Sequence, residues 1–517
     1  MTSRQRWTLL ATIIGSGIVF LDGTIVNVAL PRIGRDLPAS LIGVLEGQTY
    51  VVSGYLAVLA ALLIIAGALS DHYGRRRLFA IGLTSFGAVS VLCGLAPTLE
   101  FLVVFRLLQG AAGALLVPGS LAIITQTFEG QQRARAFGIW ASATSALIVL
   151  GPITGGVLVD TAGWRVSFLV NVPLVLIALY ATLRHVEESR DTSSEGQFDW
   201  LGSLVATVAV GGLAFGVIRG EQQAWADPLA WAALAIGAAA LVTFPILMAK
   251  RPHPLVPLDL FRDRTFATIN LATFFIYGAL YITQSYQGLL MQGVLGYTAT
   301  AAGAIGLPAG IMLTLLSTRV GTLAGRIGGR LFLVAGPLIM AIGLLWFVRL
   351  PADSAAWEAT LTEPSTLIPP ADVIIDVLPA MLLFGFGISL IVAPLTSTLM
   401  NSVPGPRAGL GSAINNAISR VGAPLIGAVI FIAISATFYA VLGELTGLDP
   451  NAPGVRQGFP PLNPPTLDAT EEQIAAAREA SVPAFHQAML VSAGLLGIGA
   501  AVSFFGLRGS KAASAGD

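Results

Sequence analysis

The sequence predicts an all-α integral membrane protein with fourteen transmembrane helices and both termini in the cytoplasm. Two six-helix bundles carry two further helices inserted between them. Three observations predict this. Hydrophobic residues make up 55% of the chain and charged residues only 11%, with a mean hydropathy of +0.79, whereas a soluble chain carries charge on about a quarter of its residues. The apolar residues come in blocks of about 20, the length of helix that crosses a hydrocarbon core of about 30 Å. Two pairs of segments also echo each other between the first and last parts of the chain.

Punctuation by charges, Gly/Pro turns and polar clusters places each span in order. Six lie at 8–30, 47–69, 78–97, 101–124, 136–159 and 166–183. Two follow at 200–218 and 229–249, and six more at 266–290, 301–320, 331–349, 376–399, 408–441 and 485–507. The expected organisation is a first bundle at 1–184, a cytoplasmic linker at 185–199, the inserted pair at 200–250, a second bundle at 251–509 and a tail at 510–517. Orientation comes from the loops. With the N-terminus inside, the inner loops and tails hold nineteen of the 28 Lys and Arg, and the outer loops hold seven. The excess of basic residues belongs on the cytoplasmic side, so an even number of spans is required. Two outer loops are long, at 351–375 and 444–484. The second contains Asp468-Ala-Thr-Glu471, which reads as a helix start with a capping box. Both read as spacers, the second with a surface helix.

Composition also excludes whole classes of function. The formal net charge is zero and the basic residues are scattered, so nucleic acid is not an expected partner. The single cysteine, Cys93, has no intrachain partner, and the four histidines are too dispersed for a metal cluster. No metal or other cofactor is expected. A P-loop of the form G-x-x-x-x-G-K-[ST] is absent, which argues against ATP as the driving force. A membrane enzyme would need clustered His, Ser/His or acidic residues near a membrane face, and the sequence has none. Arg4 and Arg6 precede a long apolar run without a small-residue cleavage site, so the first helix reads as retained rather than as a signal peptide.

The internal echo concerns the loops after the second and tenth spans. Gly67-Ala-Leu-Ser-Asp-His-Tyr-Gly-Arg-Arg-Arg aligns with Gly321-Thr-Leu-Ala-Gly-Arg-Ile-Gly-Gly-Arg-Leu, so that Gly74 meets Gly328, Arg76 meets Arg330 and Asp71 meets Gly325. Pro152-Ile-Thr-Gly155 pairs likewise with Pro424-Leu-Ile-Gly427. Parallel halves related by an axis along the membrane normal are a recurrent transporter plan, with the substrate cavity between them.

These segments carry a family resemblance. Gly67-x-Leu69-x-Asp71-x-x-Gly74-Arg75-Arg76-Arg77 resembles the loop signature of the major facilitator superfamily. Leu21-Asp22-Gly23-Thr24-Ile25-Val26-Asn27-Val28-Ala29-Leu30-Pro31 is similar to the first-helix signature of its fourteen-span drug:proton antiporters. Arg106-Leu-Leu-Gln109-Gly110 resembles the fourth-helix motif, and Gly151-Pro152-Ile-Thr-Gly155-Gly156 the fifth-helix motif of exporters. Trp164-Arg165-x-x-Phe168-x-x-Asn171-x-Pro173 fits the same subfamily. The resemblance spans nearly the whole chain.

The residues themselves support some of what it implies. Asp22 is the one carboxylate well inside a predicted span, where burying a charge costs about 2.5–3.5 kcal/mol on insertion scales. Burial favours the neutral form of a carboxyl, which suits a group that binds and releases a proton. A lone acid also attracts a cationic substrate, and Asp22 can carry the proton, the substrate or both in turn. The plain alternative is a polar packing group bonded to Asn27 or to a neighbouring helix. Arg106 needs an anionic or carbonyl partner in its apolar helix; the resemblance places it in proton coupling, and an interhelical tie is its structural alternative. Gln109 serves either a substrate or the next helix.

By resemblance, Gly67, Asp71, Gly74, Arg75 and Arg76 form a cytoplasmic gate, in which Asp71 faces the start of the thirteenth span near Arg407–Gly411. A carboxylate is stabilised at such a helix N-terminus. The arginines there also set topology. Gly151, Pro152, Gly155 and Gly156 allow a kinked helix and close helix approach; the exporter reading of that stretch is borrowed from the family. Asn27 of the first span and Tyr281 and Gln284 of the ninth are candidates to line a cavity; most aromatic residues of the ninth span otherwise read as packing or lipid-facing.

The expected function is proton-coupled antiport that exports drugs or other small amphipathic or cationic compounds across the cell membrane, with lipids as the surrounding partner. A dedicated exporter of one endogenous metabolite, lipid or antibiotic is the alternative. The span count and the fifth-helix motif argue against an importer of the same fold.

Overall fold

The computed structural model describes residues 1–190, 199–403, 408–452, 454–466 and 469–507. Among them helix dominates and no strand occurs. Two compact units emerge. One comprises Met1–Gly212 with Ile236–Val256, and the other comprises Leu213–Ala235 with the chain from Pro257 onward.

The first unit is built from α1 (Ser3–Asp36), α2 (Val44–Tyr73), α3 (Arg75–Gly94), α4 (Leu99–Ala114), α5 (Leu116–Thr127), α6 (Gly130–Ala162), α7 (Val166–Leu169) and α8 (Asn171–His185). The fourth and sixth expected spans are each broken once, and proline explains both breaks. Pro118 lacks the N–H that would bond Ala114, where α4 stops. Pro173 does the same to Leu169, where α7 stops. The inserted helices are α9 (Trp200–Gln222) and α10 (Pro228–Lys250). The inner end of this pair is fixed within the first unit by Asp199. Its carboxylate accepts from the Gly202 amide at 2.8 Å, as a helix cap does, and from the Leu255 amide at 3.1 Å.

The second unit holds α11 (Arg264–Leu289), α12 (Ala299–Ile305), α13 (Leu307–Ile327), α14 (Arg330–Trp346), α15 (Leu378–Asn401), α16 (Ala408–Thr446), the short α17 (Val455–Gly458) and α18 (Glu471–Gly506). The helix start with a capping box expected at Asp468–Glu471 is found there, with a different pair forming the box. Thr470 is the cap and forms the box with Gln473, while Asp468 lies outside the described residues. The expected surface helix is not separate from the last span either: α18 runs through Pro483 as one helix. The outer loop before it is partly interior. Phe459, Leu462 and Asn463 are buried, and Leu462 takes a left-handed φ of 58°. Arg456 donates to the Glu221 carbonyl and lies 4.6 Å from the centre of the Tyr439 ring.

Packing repeats from one unit to the other. In the first, α1 packs on α6 and α8, α2 on α4, and α3 on α4 and α8; in the second, α11 packs on α16 and α18, α13 on α15, and α14 on α15 and α18. The loop echo has the same geometry in both. Gly74 (φ 113°) separates α2 from α3, and Gly328 (φ 91°) ends α13 just before α14. A positive φ is the reason glycine stands at both. Arg76 Nη2 then donates to the Leu183 carbonyl at 2.6 Å and Arg330 Nη2 to the Phe504 carbonyl at 2.8 Å, so the first ties α3 to the end of α8 and the second ties α14 to the end of α18.

Thirteen of the described helical stretches are long and apolar enough to cross a membrane. The apolar part of α6, Ala146–Ala162, occupies the place of the fifth expected span. The fourteen-span expectation fits this arrangement.

Candidate functional site

Asp22, Arg106 and Gln109 come together in the interior of the first unit, each exposed by no more than 1%. Asp22 Oδ2 accepts from Arg106 Nη1 at 2.5 Å, and Asp22 Oδ1 accepts from Gln109 Nε2 at 3.1 Å. Arg106 Nη1 also donates to Gln109 Oε1 at 2.6 Å, and its Nε donates to the Val51 carbonyl at 3.1 Å. Its guanidinium lies 4.0 Å from the centre of the Tyr55 ring, a cation–π contact strengthened by desolvation. Residues 106 and 109 are three apart on α4, so they share a helix face and reach the same carboxylate. The neighbouring helix foreseen in the plain alternative for Asp22 is therefore α4, through Arg106 and Gln109.

Three further residues belong to the cluster. Asn171 Nδ2 donates to Asp22 Oδ1 at 3.0 Å; Ser90 Oγ accepts from Gln109 Nε2 at 2.9 Å; and Cys93 Sγ lies 3.6 Å from Gln109 Oε1. Asn171 stood in the family-like stretch without a role, and nothing in the sequence distinguishes Ser90. The carboxylate thus takes three side-chain donors from two helices besides its own, the arrangement that keeps a buried charge from being ruinous. Chemically, the cluster can hold an ionised carboxylate. The side of α1 next to it is open: a Cβ on Gly23 would meet nothing within 4 Å, and Asn27, one turn on, is half-buried.

The other expected site residues lie elsewhere. Gly67, Asp71, Gly74, Arg75 and Arg76 are at the junction of α2 and α3, where the side chain of Asp71 lies outside the described residues, as does Arg407. What caps α3 is Glu188, from the chain after α8. Its carboxylate accepts from the Arg76 and Arg77 amides, both at 3.1 Å, and the Ser189 carbonyl accepts from the Arg75 amide at 3.0 Å. A carboxylate at a helix N-terminus meets unpaired N–H groups and the positive end of the dipole. No spacing in the sequence pairs Glu188 with Arg76.

Gly151, Pro152, Gly155 and Gly156 lie on α6 against α1. A Cβ on Gly155 would come within 3.0 Å of the Ile25 Cα, and one on Gly151 would run into the Thr24 hydroxyl. Tyr281 and Gln284 lie on α11 in the second unit, half-buried and exposed respectively, whereas Tyr286 on the same helix is buried. No group of three or more His, Cys, Asp or Glu suited to a metal occurs among the described residues.

Comparison with known proteins places this arrangement. The model of the Major Facilitator Superfamily matches residues 12–428. The multidrug resistance protein Stp of Mycobacterium tuberculosis is 36% identical over 84% of this chain and 78% of its own length. The tetracenomycin C resistance and export protein of Streptomyces glaucescens is 32% identical over 82% and 74%. Among solved structures, the crystal structure of a bacterial homolog of the human lysosomal transporter Spinster superposes with a TM-score of 0.63 at 16% identity, covering 98% of this chain and 97% of that one. With its membrane-length helices the chain is a multi-pass protein of the bacterial plasma membrane, and it belongs to the Major Facilitator Superfamily, a family of transporters rather than enzymes.

Proposed function

We propose that the protein is a proton-coupled antiporter that exports drugs or other small amphipathic or cationic compounds from the cytoplasm. The observation that carries the reading is the sealed Asp22 carboxylate with Arg106, Gln109 and Asn171 around it. The names of the resistance proteins that the chain resembles supply the class of cargo.

The chemistry follows from the contacts. In the ionised state one carboxylate links α1 to α4 and α8, and through the Val51 carbonyl Arg106 extends the link to α2. A proton on Asp22 removes the charge that Arg106 faces and turns an acceptor into a donor. The helices then lose the strongest tie among them. Such a charge-dependent linkage can bias one arrangement of the bundle over another, which is what coupling requires. In this reading both termini are cytoplasmic, the segments 1–184 and 251–509 are the two moving bodies, and the Gly67–Arg77 segment at the junction of α2 and α3 gates the inner face. Asn27, with Tyr281 and Gln284, contributes polar contacts to cargo.

The test is pH-gradient-driven export of several unrelated lipophilic cations in proteoliposomes. Asp22→Asn is expected to abolish export at unchanged protein level. Retained proton antiport in that variant would remove Asp22 from the mechanism. The second reading, a dedicated exporter of one antibiotic, draws on the relative named for tetracenomycin C export. Response to one compound and none of the others would favour it.

A further inference from the structure

We propose that Asn171 follows the protonation state of Asp22 by turning its side-chain amide, donating to the carboxylate and accepting from the acid. The proposal rests on the reading of Asp22 as the proton site. Asn171 is the first residue of α8, just past the break that Pro173 imposes, and it is fully buried. Its Nδ2 faces Asp22 Oδ1 at 3.0 Å and Ser90 Oγ at 3.4 Å. Its Oδ1 is buried and has no hydrogen-bond partner among the described residues.

This orientation follows from the charge. An ionised carboxylate only accepts, so an amide beside it must present its NH2 group. The oxygen is then left over, an unusual state for a buried polar atom. Gln109 has no such spare atom: its Oε1 takes Arg106 Nη1 and faces Cys93 Sγ, while its Nε2 serves Asp22 and Ser90.

When a proton from the aqueous phase bonds to Asp22 Oδ1, the carboxyl loses its negative charge and gains an O–H that needs an acceptor. A half-turn about the Cβ–Cγ bond of Asn171 exchanges its nitrogen and oxygen, and the acid then donates to Asn171 Oδ1. One amide atom stays unpartnered in either state, so the turn neither gains nor loses an orphan. A fixed donor in the same place would oppose the proton.

The titratable side chains facing Asp22 are Arg106 from α4, Cys93 from α3 and Tyr55 from α2. Helices α5 and α7 carry none, and those of α6, Arg133, Arg135 and Asp160, lie toward its ends. Asn171 is thus a positioning residue that acts through Asp22.

The experiment is infrared difference spectroscopy between acid and alkaline pH on the full chain in phosphatidylethanolamine–phosphatidylglycerol liposomes, paired with export of tetraphenylphosphonium. The acid carbonyl band of Asp22 is assigned by its loss in Asp22→Asn. It is expected to shift in Asn171→Leu, which has similar size but neither donor nor acceptor. It should return toward wild type in Asn171→Thr, whose hydroxyl does both. Export should fall about tenfold in Asn171→Leu, the effect of one lost hydrogen bond to a charged group, and recover in Asn171→Thr. An unmoved band in a folded Asn171→Leu, or wild-type export by it, overturns the proposal; should that variant not assemble, Asn171→Ala carries the same comparison. Absence of any pH-dependent Asp22 band in the wild type is a different result. It defeats the proton-site reading itself, and the role of Asn171 with it.

Discussion

A carboxylate and a guanidinium buried together in an apolar bundle are held by each other more than by their surroundings. Asp22 and Arg106 are 0% and 1% exposed at the side chain, so removing one leaves the other as an uncompensated charge. Arg106→Leu is expected to cost about 3–5 kcal/mol. The pair Asp22→Leu/Arg106→Leu should regain most of that, because a desolvated ion pair contributes little net stability over apolar side chains. Thermal unfolding in detergent measures both, and the double variant should unfold near wild type while exporting nothing against a pH gradient. Asp22 and Arg106 were legible in the sequence because charges stand out in an apolar span, and Gln109 because it shares a motif and a helix face with Arg106. Asn171 and Ser90 were not, since small neutral polar residues are common in membrane helices. Only packing shows that α8 delivers Asn171 to the carboxylate and that α3 delivers Ser90 to the Gln109 amide beside it.

The helices follow simple local rules, with the exceptions where a proline or glycine intervenes. Pro118 and Pro173 divide two expected spans, which apolar blocks alone did not reveal because the residues on either side stay hydrophobic. The expected surface helix merged with the last span for the opposite reason: Pro483 lies inside α18 without stopping it. In α6, Pro152 is likewise accommodated, and Gly155 lets the backbone of α1 approach. Since a Cβ there would meet the Ile25 Cα at 3.0 Å, a main-chain atom that cannot swing aside, Gly155→Val is expected to destabilise by about 1–3 kcal/mol through overpacking. A lowered unfolding midpoint checks it. A midpoint equal to wild type would show that α1 and α6 can separate at no cost.

At the scale of the whole molecule, two units with the same helix pairings make the repeat structural as well as sequential. It was readable from glycine and proline because those residues fix backbone geometry, whereas Glu188, whose partner lies more than a hundred residues away, obeys no local pattern. Resistance of the fold to acid depends on carboxylates at the helix ends. The Leu229 amide, and after it the Arg219 guanidinium at 2.8 Å, hold the Asp227 carboxyl below its usual range in the turn between α9 and α10. A depressed folded-state value stabilises above the unfolded value of about 3.9 and is lost as pH falls through the lower one. Asp227→Asn should therefore unfold at lower temperature than wild type at neutral pH, and the two should converge below about pH 4. Parallel curves across that range would exclude the contribution.

The single cysteine of the chain has a use of its own. Cys93 is buried beside Gln109, and every other position is free of thiols. A membrane-permeant maleimide can reach it only when the helices around Asp22 part. The rate of alkylation of the unmodified protein is thus a stopwatch for opening of the interior, readable by mass spectrometry with no engineered label.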